Sequence, residues 1–375
     1  MAPQAPRVPK APAVEDPKTW KTDLPALSRL SIKEQVALFK YLGVMIDAGI
    51  PLERALMAIH GQTRSMLMHR VLHRLVNDIT SGEFLSSGLR KMPQIFDKML
   101  VGLVEAGENS GTLAPSLFRI SENLEKSQAL NGKIRTALLY PGIVVLATGG
   151  ITAYLLFVLL PQITPLFTSM NLTLPLPTRI IIAASDGALA YWQYIVGGLI
   201  LVVVSFFTLL KSVKPFRFFM HGAALRLPVF GSLLRKVYVA QFAQILGTLL
   251  KSGITIIDAI KIAAEAMNND VYRKVLQEMA EGLQQGASLS THFTQHRLLF
   301  PPLVTQMISV GEETGKLDES FLFISKFSER EVDEATKNLT TVLEPLLMLV
   351  IGGMVGFIAI AIISPIYQLT KGVQH

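Results

Sequence analysis

Apolar residues along this chain follow two patterns. In the first they recur every three or four positions among charged ones, as with Val36, Phe39, Leu42 and Ile46, and again with Val239, Phe242, Leu246, Leu249 and Leu250. That spacing gathers them on one face of a helix. In the second pattern they run together without charge. Residues 136–178 contain no charged side chain, a second apolar run covers 188–210, and a third follows Glu344 and continues to Lys371. Each run offers about 20 apolar residues, enough for a helix rising 1.5 Å per residue to cross roughly 30 Å of hydrocarbon. The pattern predicts three transmembrane helices, at 138–160, 188–210 and 343–364.

The helical stretches repeat. Gly49 and Gly253 are 204 positions apart, and so are Gly107-Glu108 and Gly311-Glu312, Gly82 and Gly286, Phe96 and Phe300, Gly111 and Gly315, Pro141 and Pro345, and Pro161 and Pro365. One register held without a gap over about 120 residues identifies a duplication. Each copy is read as a helical domain, 31–137 or 211–342, followed by a span. The middle span lies outside the repeat and returns the chain to the side it left, so both copies point the same way.

Local signals fit helices. Ser31-Ile32-Lys33-Glu34 reads as a capping box, with Ser31 accepting from the Glu34 amide. Gly49 and Pro51 mark a stop and a restart, and the runs opened by Gly82 and Gly286 read as turns that begin a new helix. No β pattern stands out, and runs such as Ile180-Ile181-Ile182 are assigned to the loop before the second span. The fold class expected is all-α: two duplicated cytoplasmic helical bundles of about six helices each, plus three transmembrane helices. Residues 1–30, with Pro3, Pro6, Pro9, Pro12, Pro17 and Pro25, read as a disordered basic arm.

Charge sets the orientation. Of 35 Lys and Arg, 18 fall in 1–137 and 15 in 211–342, against one in 161–187 (Arg179) and one in 365–375 (Lys371). The basic side faces the cytoplasm. The expected protein is therefore a multi-pass protein of a bacterial inner membrane, with a cytoplasmic N-terminus, an external loop at 161–187 and a periplasmic tail at 365–375. No cleavable signal peptide is expected, because the first thirty residues hold no apolar core segment. The basic residues alternate with acids in both domains, which argues against a nucleic-acid partner. With no cysteine, thiol nucleophiles and thiolate metal sites are excluded.

Catalytic constellations are not apparent, so the reading is non-enzymatic, with no cofactor and no metal. Gly311-Glu312-Glu313-Thr314-Gly315-Lys316 is one residue short of a phosphate-binding loop, and Leu317 stands where a Ser or Thr would be needed. His69 with His73, and His292 with His296, are four apart and could share a helix face. Neither pair recurs at the repeat offset, and both are read as ordinary surface histidines. Acid beside glycine does recur. Gly107 and Gly311 are read as left-handed helix ends, with Ser110 and Thr314 capping the next helix. Glu108, Glu312 and Glu313 are candidate partner-binding residues, for basic partners or a divalent ion. Glu344, at the mouth of the third span and just before a Pro that should kink the helix, is a fourth candidate.

Several of these residues carry a family resemblance. Lys251-Ser252-Gly253-Ile254-Thr255, Phe300-Pro301, Gly311 to Leu317, Glu344-Pro345, and Leu227-Pro228-Val229-Phe230-Gly231 together resemble the type II secretion system protein F family, over about residues 31–370. Tyr140 departs from the pattern, standing where a Glu is expected before Pro141. The resemblance implies an inner-membrane assembly platform of a type IV pilus or type II secretion machine. Its implied partners are a cytoplasmic motor ATPase, pilin or pseudopilin subunits, other inner-membrane assembly proteins and further copies of itself as a homo-oligomer. The alternative is an oligomeric membrane transporter or channel component.

Overall fold

Ser31 opens the first helix as the capping box requires: its hydroxyl accepts from the Glu34 amide while the Glu34 carboxylate accepts from the Ser31 amide at 2.9 Å. The computed structural model describes residues 30–159, 161–162, 176–228 and 230–372, and all its described regular structure is helical. The expected basic arm falls outside the described residues, as does most of the expected external loop.

The first copy comprises α1 (Ile32–Asp47), α2 (Leu52–Gln62), α3 (Met66–Thr80), α4 (Leu85–Arg90), α5 (Lys98–Asn109) and α6 (Leu113–Tyr154). Two helices follow that have no counterpart in it, α7 (Leu176–Ser212) and α8 (Lys214–Arg226). The second copy comprises α9 (Phe230–Lys251), α10 (Ile256–Ala266), α11 (Asp270–Gln284), α12 (Leu289–Gln295), α13 (Pro302–Thr314) and α14 (Leu317–Gly372). From α2 to α6, every helix start recurs 204 residues later in α10 to α14.

The helix ends repeat as faithfully. After α1 the chain turns on Gly49 at φ 80°, and the amides of Gly49 and Ile50 return to the carbonyls of Ile46 and Met45. Only a residue without Cβ takes that left-handed turn freely. Gly253 ends α9 the same way, and the pairs Gly82/Gly286 and Gly111/Gly315 do likewise.

Inside the two bundles the shape is kept while the side chains trade volume. Leu38, Leu89 and Leu117 of the first copy become Phe242, Phe293 and Phe321, all fully buried or nearly so. Phe39 becomes Ala243 in exchange, and the shared Phe96 and Phe300 remain at the centre. The second core is consequently an aromatic cluster, with Phe293 edge-on to Phe300 at 4.6 Å. Volume-conserving exchange of this kind leaves a backbone in place.

The domain-to-span boundaries expected at 137/138 and 342/343 do not interrupt the helices. Helix α6 runs for 42 residues and closes in a π-helical turn at Leu155–Leu159, and α14 runs for 56. At 1.5 Å per residue these are about 60 Å and 85 Å long, so each serves its bundle along one part and the membrane along the other. Pro141 and Pro345 lie inside these helices; each removes one backbone donor, yet the kink expected at Pro345 does not break the element. Helix α7 starts at Leu176, so residues 180–182 are helical rather than loop, and a break at Tyr191 falls at the start of the apolar stretch Ala190–Ser212. Helix α8 is pinned to α11 by Asp270, which pairs with Arg217 and, at 2.6 Å, with Arg273.

Candidate functional site

Glu108 and Glu312, two of the candidate partner-binding acids, are already engaged within the chain. Glu108 stands in the last turn of α5 and takes both first amides of α4: Leu85 donates to Oε1 at 2.6 Å and Ser86 to Oε2 at 3.1 Å. Glu312 does the same for α12, accepting from Leu289 at 2.8 Å and from Ser290 at 3.2 Å. The N-terminal residues of a helix have orphan amides and a positive dipole end, and a carboxylate satisfies both. Burial works against the charge on Glu312, but the amides of Leu289 and Ser290 and the Ser290 hydroxyl outweigh it and hold the carboxyl below its ordinary range.

The glycines beside these acids are corrected as well. Gly107 and Gly311 are buried helical residues, and the left-handed turns belong to Gly111 and Gly315. Nor do Ser110 and Thr314 cap the next helix: each hydroxyl bonds back to a carbonyl four residues earlier, Ala106 and Val310. Gly107 and Gly311 serve close packing instead, since a Cβ at either would meet the Oγ of Ser116 or Ser320 at 2.5 Å.

Glu313 is the exposed member of the acidic pair, touched by the Ser309 hydroxyl at 3.3 Å. Glu344 is also exposed on the chain's own surface, as is its first-copy counterpart Tyr140. Twenty-seven residues of α14 separate Glu344 from Leu317, about 40 Å of helix, so it forms no common site with the acidic turns.

His69 and His73 do share a face of α3, and that face meets α2: the His69 ring stacks on His60 with centroids 3.8 Å apart. His296 lies beyond the end of α12, so it does not share a helix with His292. Among the described residues no group of three or more His, Cys, Asp and Glu is arranged to hold a metal ion.

What the sequence reading missed is the junction between the two copies. Arg119 of α6 reaches across to the end of α9, donating to the Lys251 carbonyl at 3.1 Å and to the Ser252 hydroxyl at 2.9 Å. Lys98 pairs with Glu265 and Lys133 with Asp333, each at 2.6 Å. Gly102 brings α5 against Ile262, and a cavity of about 80 Å³ at the seam is lined by both polar and apolar side chains, among them Asp97, Asn123, Gln244, Leu100 and Ile245. Buried residues of both copies form one continuous core. The available signal was a failure of the repeat: Arg119 pairs with Phe323, Lys98 with Pro302 and Gly102 with Gln306.

Comparison with known proteins agrees with this architecture. The family described as "Type II secretion system (T2SS), protein F" matches twice, at residues 38–161 and 242–365, again 204 positions apart. The type IV pilus assembly protein PilC of Thermus thermophilus is 37% identical over 349 residues, 92% of this chain and 85% of that protein. PilC of Pseudomonas aeruginosa is 33% identical over 339 residues, 89% of each chain. The type II secretion system protein F of Pseudomonas aeruginosa is 32% identical over 347 residues, 91% of this chain and 84% of that protein. With its duplicated six-helix bundles, its three apolar helices and these relatives, the chain belongs to the type II secretion system protein F family.

Proposed function

We propose that this protein is the inner-membrane platform of a type IV pilus or type II secretion machine, coupling a cytoplasmic motor ATPase to the insertion or extraction of pilin-like subunits. The observation that carries the mechanical part is the continuity of α6 and α14. Each helix is packed into its bundle along one stretch and is apolar and exposed along the other. A helix that runs unbroken from bundle to span ties the movement of one to the movement of the other. A motor that turns the bundles would thereby move the spans, and with them whatever membrane helix lies alongside.

The charge distribution supports placing both bundles on the cytoplasmic side, where an ATP-driven motor works. Work enters from a partner in this reading, and the protein's own role is to hold and transmit. Glu313 and Glu344 are exposed acids, one on a bundle and one on the span side of α14, and they suit contacts with a basic motor surface and with a membrane-embedded subunit.

The test is purification of the tagged full-length chain from membranes of its native host, followed by mass spectrometry. Recovery of a motor ATPase and pilin-like subunits in excess of an untagged control is the result expected. Recovery of neither, together with saturable binding of a small solute, would favour a transporter.

A further inference from the structure

Helix α8 follows the middle span at once, with only Val213 between Ser212 and Lys214. It does not lead straight away from the membrane. The Phe216 ring stands edge-on to Phe206 of the span, centroids 6.0 Å apart, and Phe206 lies about 9 Å of helix before the end of that span. The start of α9 is also at the membrane end of the second bundle. Leu233 and Val237 of α9 pack with Leu130, Ile134, Val332 and Ala335, in the turns of α6 and α14 that precede their apolar stretches.

Between α8, α9, α11 and the turn after α12 lies a cavity of about 480 Å³. That is within the usual size of a small-ligand pocket, about 300–1,000 Å³. Leu225, Val271 and Val275 give it an apolar floor, and the exposed Phe218 and Leu298 stand at its rim. Gly222 helps to keep it open, since a Cβ there would come no nearer to the Val271 side chain than 3.9 Å.

Three guanidinium groups line the same cavity, those of Arg226, Arg235 and Arg297, and no acidic side chain does. Asp270, the acid at the start of α11, is taken up by Arg217 and Arg273. Arg235 donates to the Leu298 carbonyl at 3.4 Å, and Arg226 and Arg297 are exposed. This charge is not part of the duplication: Ser31 and Pro93 stand 204 positions before Arg235 and Arg297. It belongs to the copy that α8 joins.

Guanidinium groups suit the paired oxygens of a phosphate. A soluble phosphate would leave the apolar floor bare, and a neutral lipid would leave the arginines without a counter-charge. We infer that the cavity binds one anionic phospholipid of the surrounding bilayer. Its phosphate is held by Arg226, Arg235 and Arg297, and the upper part of one acyl chain lies on Leu225, Val271 and Val275. Basic pockets at the membrane boundary take such headgroups. The bound lipid fastens α8, and with it the end of the middle span, to the second bundle. The inference goes beyond the platform reading and does not depend on it, because it needs only that the apolar helices lie in a membrane.

The test uses the full-length chain in vesicles of phosphatidylcholine that contain a minor share of phosphatidylglycerol with a photoreactive group in its acyl chain. After irradiation the labelled peptides are mapped. Labels should fall on α8 and on residues 294–299 as well as on the spans. Arg226→Gln combined with Arg297→Gln should lower labelling at the cavity about tenfold and leave labelling of the spans unchanged, as expected when two basic contacts to an anionic lipid are lost. Gly222→Leu, which fills the cavity and removes no charge, should lower it as well. Labelling confined to the spans would overturn the inference, and so would equal cavity labelling by photoreactive phosphatidylcholine or an undiminished cavity signal in the double variant. Displacement of the cavity label by inorganic phosphate would also overturn it, by making this the site of a soluble anion.

Discussion

The backbone of Gly107 lies against Ser116, so closely that a methyl group at position 107 would sit 2.5 Å from the serine Oγ. Gly311 and Ser320 stand in the same relation one repeat later. The contact draws the last two helices of each bundle together at the start of the long one, at the end away from its apolar stretch.

Gly311→Ala should therefore destabilise the second bundle by about 1–3 kcal/mol, the usual range for an overpacked core. Adding Ser320→Gly should restore most of the loss. Thermal unfolding of the detergent-solubilised full chain measures both. An unchanged Tm in Gly311→Ala would mean that the helices are not held this closely.

Glu312 should be a stability residue before it is anything else. Removing it leaves two first-turn amides of α12 without their acceptor, so Glu312→Ala should cost about 1 kcal/mol, as loss of a helix cap does. Glu313→Ala should stay within about 0.5 kcal/mol. The sign of the pH dependence follows from the depressed carboxyl. Its stabilisation is complete above the unfolded-state pKa of about 4.3 and disappears as pH falls through the lower folded value. Glu312→Gln should be less stable than the parent at pH 7 and should lose less further stability between about pH 5 and pH 3. Equal acid sensitivity in the two proteins would remove Glu312 from the account.

These residues also mark how far the sequence could be read. The capping box at Ser31, the Gly49 stop and the 204-residue register are local or self-repeating signals, and all three recur in the structure. The partner of Glu108 was not legible, because Leu85 lies 23 residues away and meets it only when α4 folds back on α5. An acid beside a glycine looks the same whether it caps a neighbouring helix or faces solvent. The run at 180–182 reads as loop because Asp186 separates it from the uncharged stretch at 188–210; the break falls instead at Tyr191, which has no sequence signature of its own. Arg119 is illegible for the opposite reason: it is not repeated, Phe323 standing at its counterpart, and the junction between copies is built largely from residues that do not repeat.

On the proposed topology, reporter fusions after residue 100 and after residue 300 should both report the cytoplasm, and a fusion near residue 171 the outside. An external signal at either of the first two positions would separate the bundles across the membrane and contradict the reading.

The exposed acids should separate folding from function. Glu313→Lys and Glu344→Gln should both insert and fold at parental levels, since neither side chain is buried in the chain. Each is expected to lower filament assembly or secretion several-fold. Assembly at the parental rate in Glu344→Gln would show that its charge has no role and that it is simply hydrated at the membrane edge.

The most direct measurement of the central claim is deletion of this protein's gene in its native host, followed by assay of surface filaments or secreted substrate and of pilin-like subunits in the inner membrane. The platform account predicts that filaments or secretion are lost while the subunits remain in the membrane, and that the full-length chain restores assembly. Filaments and secretion that persist undiminished in the deletion strain would contradict it.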